Sequence, residues 1–228
     1  MYFCSDFINS MGYKAIIAGA TGLIGSNLLN ILLNEPAYTE VVILVRKPIG
    51  IKNKKLTELI IDFDKLDEYA DMITGHALFC CLGTTQSKTP DKAVYYKIDH
   101  DYPLQLAQLA LKNGVEQYHL VSAMGADKGS SFFYTKLKGE TEQDIESTGL
   151  KCLHIYRPAL LTGDRKEHRK FEGFLTSLFK LVDPLLIGGL KKYRSISGHT
   201  VAMAMFKQSI NNDEGIFIHP SDNIQQIA

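Results

Sequence analysis

Buried-looking apolar runs alternate along this chain with stretches whose apolar positions recur every three or four residues. "KAIIAGA", from Lys14, reads as a strand with no polar face. Leu23, Ile24, Leu28, Leu29, Ile31 and Leu32 then fall at helical spacing, predicting a helix over Leu23–Asn34 that ends before Pro36. "VVILV" (41–45), "LTELIIDF" (56–63) and "HALFCCLG" (76–83) predict three further strands. A helix is expected from about Pro90 to Lys112, stopped at Asn113-Gly114, and a fifth strand at "QYHLVSA" (117–123). Phe132 to Thr148 reads as a helix stopped by Gly149, and "KCLHIYRP" as a sixth strand stopped by Pro158.

Near-continuous apolar strands alternating with amphipathic helices are the pattern of a parallel sheet covered on both faces. The expected fold class is therefore α/β, a doubly wound parallel sheet of the nucleotide-binding Rossmann type. Beyond Pro158 the pattern loosens. "GDRKEHRKFEG" reads as a charged loop and "FLTSLFKLV" as a short helix. "GHTVAMAMFKQSI" reads as a second helix with Val201, Ala202, Met205, Phe206 and Ile210 on one face, and "GIFIH" as a possible last strand. One domain spanning 1–228 is expected, with residues 1–13 as an extension and about 159–228 as a small cap.

Composition narrows the chemistry. The 228 residues are 45% hydrophobic, enough for a sizeable core. Lys+Arg and Asp+Glu are both 25, so net charge offers no case for nucleic acid or an anionic membrane as partner. Cys4, Cys80, Cys81 and Cys152 form no C-x-x-C pair, and the seven histidines show no metal-ligand spacing, so no metal is expected. No apolar stretch approaches a membrane span, and residues 1–12 lack the features of a secretory signal. The expectation is a soluble protein of a reducing compartment, the cytoplasm.

Glycine weakens strands and helices alike, yet Gly19, Gly22 and Gly25 sit where the first strand becomes the first helix. Free N–H groups at such a helix start can face a pyrophosphate, provided no side chain holds the phosphate away. Gly19 would permit the turn, Gly22 the approach of the ligand, and Gly25 the close packing of the helix on the sheet. The spacing is G-x-x-G-x-x-G rather than G-x-G-x-x-G, and such a motif by itself is weak. After the second strand, where an acidic residue would hold the ribose of NAD, this chain has Arg46 and Lys47. Two cations favour a 2′-phosphate, hence NADP over NAD.

Tyr134 and Lys138 lie four apart on a predicted helix and so share a face. A nearby ammonium favours the phenolate, which suits a tyrosine that exchanges a proton with an alcohol or carbonyl oxygen. Ser122, ending the fifth strand, would hydrogen-bond the same oxygen.

The ordered set "GATGLIG", "CLGTT", "VSAMGAD", "YTKLKGE" and "YRPALLTGDRKEHR" resembles the short-chain dehydrogenase/reductase superfamily. It looks closest to the atypical branch that includes the Tat-interacting protein oxidoreductases. The resemblance covers about Lys14 to Pro158 and implies a Rossmann fold binding NADP(H) at the sheet's carboxyl edge. It implies that Gly19, Thr21, Gly22, Leu23, Ile24 and Gly25 meet the pyrophosphate, and that Arg46 and Lys47 hold the 2′-phosphate. Asp62 and Phe63 would meet adenine, and Leu82, Gly83 and Thr84 would line the ribose and nicotinamide path. Tyr134 and Lys138 fall on the catalytic pair, Lys138 also holding the nicotinamide ribose. Leu161 would reach the nicotinamide side and Arg169 a phosphate. Relatives often carry two or three consecutive hydroxyl residues after the fifth strand, whereas Ala123 follows Ser122 here.

The expected activity is an NADPH-dependent oxidoreductase acting on a small carbonyl or alcohol. A non-catalytic NADP(H)-binding regulator that engages a protein partner is the alternative, and nucleotide-sugar epimerisation or dehydration the third. A homodimer is open; "RKEHRK" could dock an anionic substrate or a partner but reads first as a solvated loop, and the apolar stretch 174–187 could form a dimer face or substrate lid but reads first as core packing on the sheet.

Overall fold

The computed structural model describes residues 12–162 and 193–228. Seven strands form one all-parallel sheet: β1 (Tyr13–Ala18), β2 (Tyr38–Val45), β3 (Leu56–Ile60), β4 (Ala77–Cys80), β5 (Gln117–Val121), β6 (Cys152–Arg157) and β9 (Gly215–Pro220). Their order is β3-β2-β1-β4-β5-β6-β9. Two short strands, β7 (Leu161–Thr162) and β8 (Ile196–Ser197), pair separately. The helices are α1 (Leu23–Asn34), α2 (Lys92–Tyr96), α3 (Tyr102–Lys112), α4 (Phe133–Glu146), α5 (Gly198–Ser209) and α6 (Ser221–Ile227). This is the doubly wound fold expected from the alternation of apolar strands and amphipathic helices.

Both faces of the central strands β1 and β4 are buried, which is why those strands show no polar alternation, whereas the edge strands β3 and β9 are partly exposed. Ile17, Ile43, Phe79 and Tyr156 pack with Leu28 of α1, Met205 of α5 and Ile224 of α6. On the opposite face Ile16, Leu44, Leu78 and Ile155 pack with Leu106 of α3 and Ile145 of α4. The order reverses between β1 and β4, so their carboxyl ends border the crevice in which this fold class binds ligands.

Several expectations change. The β3 strand stops at Ile60, and Asp62 instead caps a 3₁₀ segment over Phe63–Met72, accepting from the Asp64 N–H at 3.0 Å. The helix expected from Pro90 is interrupted by one π-helical turn, Lys97–Asp101, between α2 and α3. Tyr13 belongs to β1 rather than to an extension. The C-terminal region is more than a cap, since β9 is the seventh strand and α5 covers α1. Ile210 lies beyond α5 and is 40% exposed, off the buried face that holds Val201, Ala202, Met205 and Phe206. The final helix α6 carries too few apolar positions to announce itself. Arg169, "RKEHRK", the stretch 174–187 and residues 1–11 lie outside the described residues. Among the described residues no helix is long and apolar enough to cross a membrane.

Candidate functional site

At the carboxyl end of β1 the chain turns sharply. Gly19 adopts φ +85°, a left-handed conformation costly for any residue with a Cβ. A Cβ there would also lie 2.5 Å from the Cys81 carbonyl oxygen, so the turn is pressed against the end of β4. Gly25 is tighter still: its Cβ would lie 2.2 Å from the Gly19 carbonyl oxygen. It therefore lets α1 pack on the turn itself, rather than on the sheet as the sequence suggested. Gly22 is the N-cap of α1; it supplies no capping side chain, and the first turn has no acidic residue. The leading amides of the helix thus have no side-chain acceptor of their own, at the end of the macrodipole that favours an anion. Thr21 and Gly22 are exposed. Ile24 is buried in the core, and half-buried Leu23 is met by Gly198 of α5. Those two positions can offer a ligand their backbone more readily than their side chains. The cradle is one that Cβ atoms would fill, and it fits a diphosphate.

Arg46 and Lys47 follow β2 directly and are exposed. Nearby, Asp62 is exposed while Phe63 is buried and packs on Tyr102, ring centroids 5.4 Å apart. Phe63 therefore presents little ring surface to a base, and Asp62 is the more available of the two. The Tyr102 hydroxyl donates to Asp64, which also pairs with Lys97 at 2.6 Å.

Leu82, Gly83 and Thr84 follow β4 directly. The Thr84 N–H donates to Asp99 Oδ2 at 2.8 Å, and Asp99 Oδ1 lies 2.9 Å from the Lys138 ammonium. Asp99 and Lys138 are both buried. A Cβ on Gly83 would come 3.5 Å from Asp99 Oδ1 and 4.0 Å from Lys138 Nζ, so Gly83 lies directly over the pair. Burial pulls Lys138 towards the neutral amine, but the Asp99 carboxylate, aided by Tyr134, outweighs it and holds the ammonium above the ordinary lysine range. Tyr134, one turn earlier on α4, is 44% exposed. The helix thus sinks its lysine and leaves its tyrosine at the surface, near enough to Lys138 to interact with its charge.

Ser122 behaves otherwise than expected. It is buried and its hydroxyl donates to Glu142, which Arg157 holds through Nε at 3.1 and 3.2 Å and through Nη2 at 2.5 Å. The serine proton is committed to a partly buried ion pair at the ends of β5, β6 and the middle of α4, not to an open oxygen site. Leu161 is half-buried in β7 beside the core cluster that includes Val201.

Two site residues escaped the sequence reading, Asp99 and Glu142. A signal existed for the second: Tyr134, Lys138 and Glu142 are spaced four apart and form one stripe on α4. Asp99 had only the weaker signal of a lone carboxylate inside an otherwise periodic helix. Among the described residues no group of three His, Cys, Asp or Glu side chains is placed to hold a metal ion.

Residues 19–180 match a family model described as NAD(P)H-binding. Protein HTATIP2 of Rattus norvegicus is 36% identical over 170 residues, covering 73% of this chain and 70% of the relative. The mitochondrial protein FMP52 of Saccharomyces cerevisiae is 34% identical over 170 residues, covering 72% of this chain and 73% of the relative. Among solved structures, the Bordetella bronchiseptica enzyme WbmH in complex with NAD+ superposes with a TM-score of 0.70 at 16% identity, over 92% of this chain and 76% of that one. The last likeness is one of fold. Together, the glycine cradle, the seven-stranded sheet and these matches place the chain in the NAD(P)H-binding family of Rossmann-fold proteins, on the atypical short-chain dehydrogenase/reductase branch that includes HTATIP2 and FMP52.

Proposed function

We propose that this protein is an NADPH-dependent oxidoreductase that moves hydride between the coenzyme and a small carbonyl or alcohol. The observation that carries the reading is the placing of Lys138, charged and buried under Gly83, with half-exposed Tyr134 one turn away. A bound nicotinamide would supply the hydride chemistry. Lys138 would donate to the coenzyme ribose, and the Tyr134 hydroxyl would give its proton to the substrate oxygen in the reducing direction and take it back in the oxidising one. The α1 amides would hold the diphosphate, and Arg46 and Lys47 the 2′-phosphate. The substrate in this reading is a small molecule, and neither nucleic acid nor a membrane is a partner. Among the described residues Cys80, Cys81 and Cys152 are free thiols, which suits a reducing compartment such as the cytoplasm. Mitochondrial import of the full chain in a fractionation experiment would overturn that placement.

One observation favours a second reading. With Ser122 committed to Glu142 and Ala123 beside it, the end of β5 offers no free hydroxyl to polarise a substrate oxygen. A protein that binds NADP(H) and signals its presence to a partner would need none.

Two measurements separate these. NADPH and NADP should raise the melting temperature more than NADH and NAD. A ligand at a hundredfold its dissociation constant stabilises by about 2.7 kcal/mol. Arg46→Ala should abolish the preference; equal shifts from all four coenzymes would remove the case for NADP. Across a panel of aldehydes and ketones, Tyr134→Phe should lower turnover by roughly a hundredfold or more while NADPH binding persists. A wild-type protein that binds NADPH yet consumes none with any of them belongs to the second reading.

A further inference from the structure

Asp99 has no part in the function described above, yet it is 1% exposed and stands at the junction of three elements. A carboxylate so placed is costly unless it is paired and hydrogen-bonded. Its Oδ2 accepts the Thr84 N–H, while Oδ1 meets only the Lys138 ammonium, at 2.9 Å but without an aligned hydrogen bond. The π turn explains how it gets there. An extra residue in the turn aims both Asp99 and the adjacent His100 inward, and both are buried. Three links then lock that turn to α4. Thr141 Oγ1 lies 3.0 Å from the Asp99 carbonyl and shares its one proton with the Leu137 carbonyl at 2.8 Å, His100 Nε2 lies 2.9 Å from Asp144, and the Asp99 carboxylate holds Lys138. His100 Nδ1 faces Asp101 at 2.8 Å and its ring lies against Tyr96.

We infer that Asp99 is a positioning residue: its carboxylate ties the Gly83–Thr84 loop and the Lys138 ammonium to one point, so that the lysine is both charged and aimed at the coenzyme ribose. This rests on the role given above to Lys138. Without Asp99, burial acts on Lys138 against only the weaker pull of Tyr134 and Cys80, and the amine gives up its proton at lower pH. The Thr84 N–H loses its acceptor at the same time, so the loop floor and the lysine are released together.

Lysine ammonium groups held in buried ion pairs exchange slowly and can be followed in the full chain by ¹⁵N-lysine NMR. Wild type should show such a signal, assigned by its loss in Lys138→Gln. In Asp99→Asn, at about pH 8, the signal should vanish while circular dichroism stays unchanged. NADPH affinity should fall about tenfold, as expected for one charge-assisted hydrogen bond. An unchanged lysine signal in Asp99→Asn overturns the proposal, and so does a lost signal with unaltered NADPH affinity. Should Asp99→Asn fail to fold, Asp99→Asn combined with Lys138→Gln should restore folding, because no charge is then left unpaired. A double variant that also fails overturns it. A wild-type chain that does not bind NADPH defeats the coenzyme reading instead, and the lysine signal still judges the pair.

Discussion

Gly25→Ala should melt roughly 6 °C below wild type and lose measurable coenzyme binding. The added methyl would sit 2.2 Å from the Gly19 carbonyl oxygen and 3.0 Å from the Ala20 Cα, both backbone atoms of the turn. Neither can swing aside as a side-chain tip could, so α1 or the turn must move. Alanine favours a helix interior over glycine by about 1 kcal/mol, but an overlap of this size costs about 3 kcal/mol, and the overlap wins. Any shift of the turn also displaces the α1 amides that face the diphosphate. Gly22→Ala is the informative control. Its φ is −77°, open to alanine, and its Cβ would be 3.3 Å from the Gly19 oxygen, a contact relieved by a small adjustment. That variant should stay folded yet bind NADPH more weakly, because its methyl projects where the ligand approaches. A wild-type melting temperature for Gly25→Ala would show that the turn is not packed as described.

The protein should also lose stability steeply as the pH falls from about 6.5 towards 5, before its carboxylates titrate. The cause lies in a row of rings along one sheet face. His119 stacks on Phe79 and on His154, at 4.7 and 4.6 Å between centroids, and His154 stacks on Phe217 at 4.9 Å. His154 Nδ1 lies 3.0 Å from His219 Nε2, and His219 Nδ1 lies 2.9 Å from Asn223 Oδ1. One proton per link satisfies this chain, and an extra proton on His219 would set two N–H groups against each other. Burial pushes His119 well below the ordinary imidazole range, His154 down to about 4, and His219 down as well. The folded state thus resists protons that the unfolded chain takes up. The stabilisation is complete above about pH 6.5 and is lost as the pH drops towards the folded values. His154 by itself contributes on the order of 3 kcal/mol across that window, and because the three rings are coupled their shares do not add. Urea unfolding at a series of pH values measures the slope. His154→Phe keeps a ring in the stack and should flatten it, while a midpoint constant between pH 7.5 and about 5 would refute the account.

Much of the fold was legible because its rules are local or periodic. A strand buried on both faces must be apolar throughout, and Ala15–Ala18, Val41–Val45 and Leu78–Cys80 are. Helix stripes repeat every three or four residues, so α1 was predicted at its observed ends, Leu23 and Asn34. The glycine turn was legible for the same kind of reason: its constraint acts between residues six apart in the chain. Where the expectations erred, the deciding partner lay far along the sequence. Ser122 looked like a free strand-end hydroxyl, but Glu142, brought over by α4, takes its proton. Lys138 looked like the partner of Tyr134 and of the coenzyme ribose, but Asp99 arrives from a π turn 39 positions earlier to hold it.

The amino-acid sequence alone therefore determined which segments lie in the sheet, which face of α1 is buried, and that a side-chain-free turn joins β1 to α1. Hydrophobic burial and backbone sterics are written residue by residue and can be read that way. Only the tertiary structure decided which charge meets which: Asp99 with Lys138, Glu142 with Ser122 and Arg157, and His154 with His219. A buried polar group must find a partner somewhere, but the sequence states only its need, and the packing of distant elements supplies the answer.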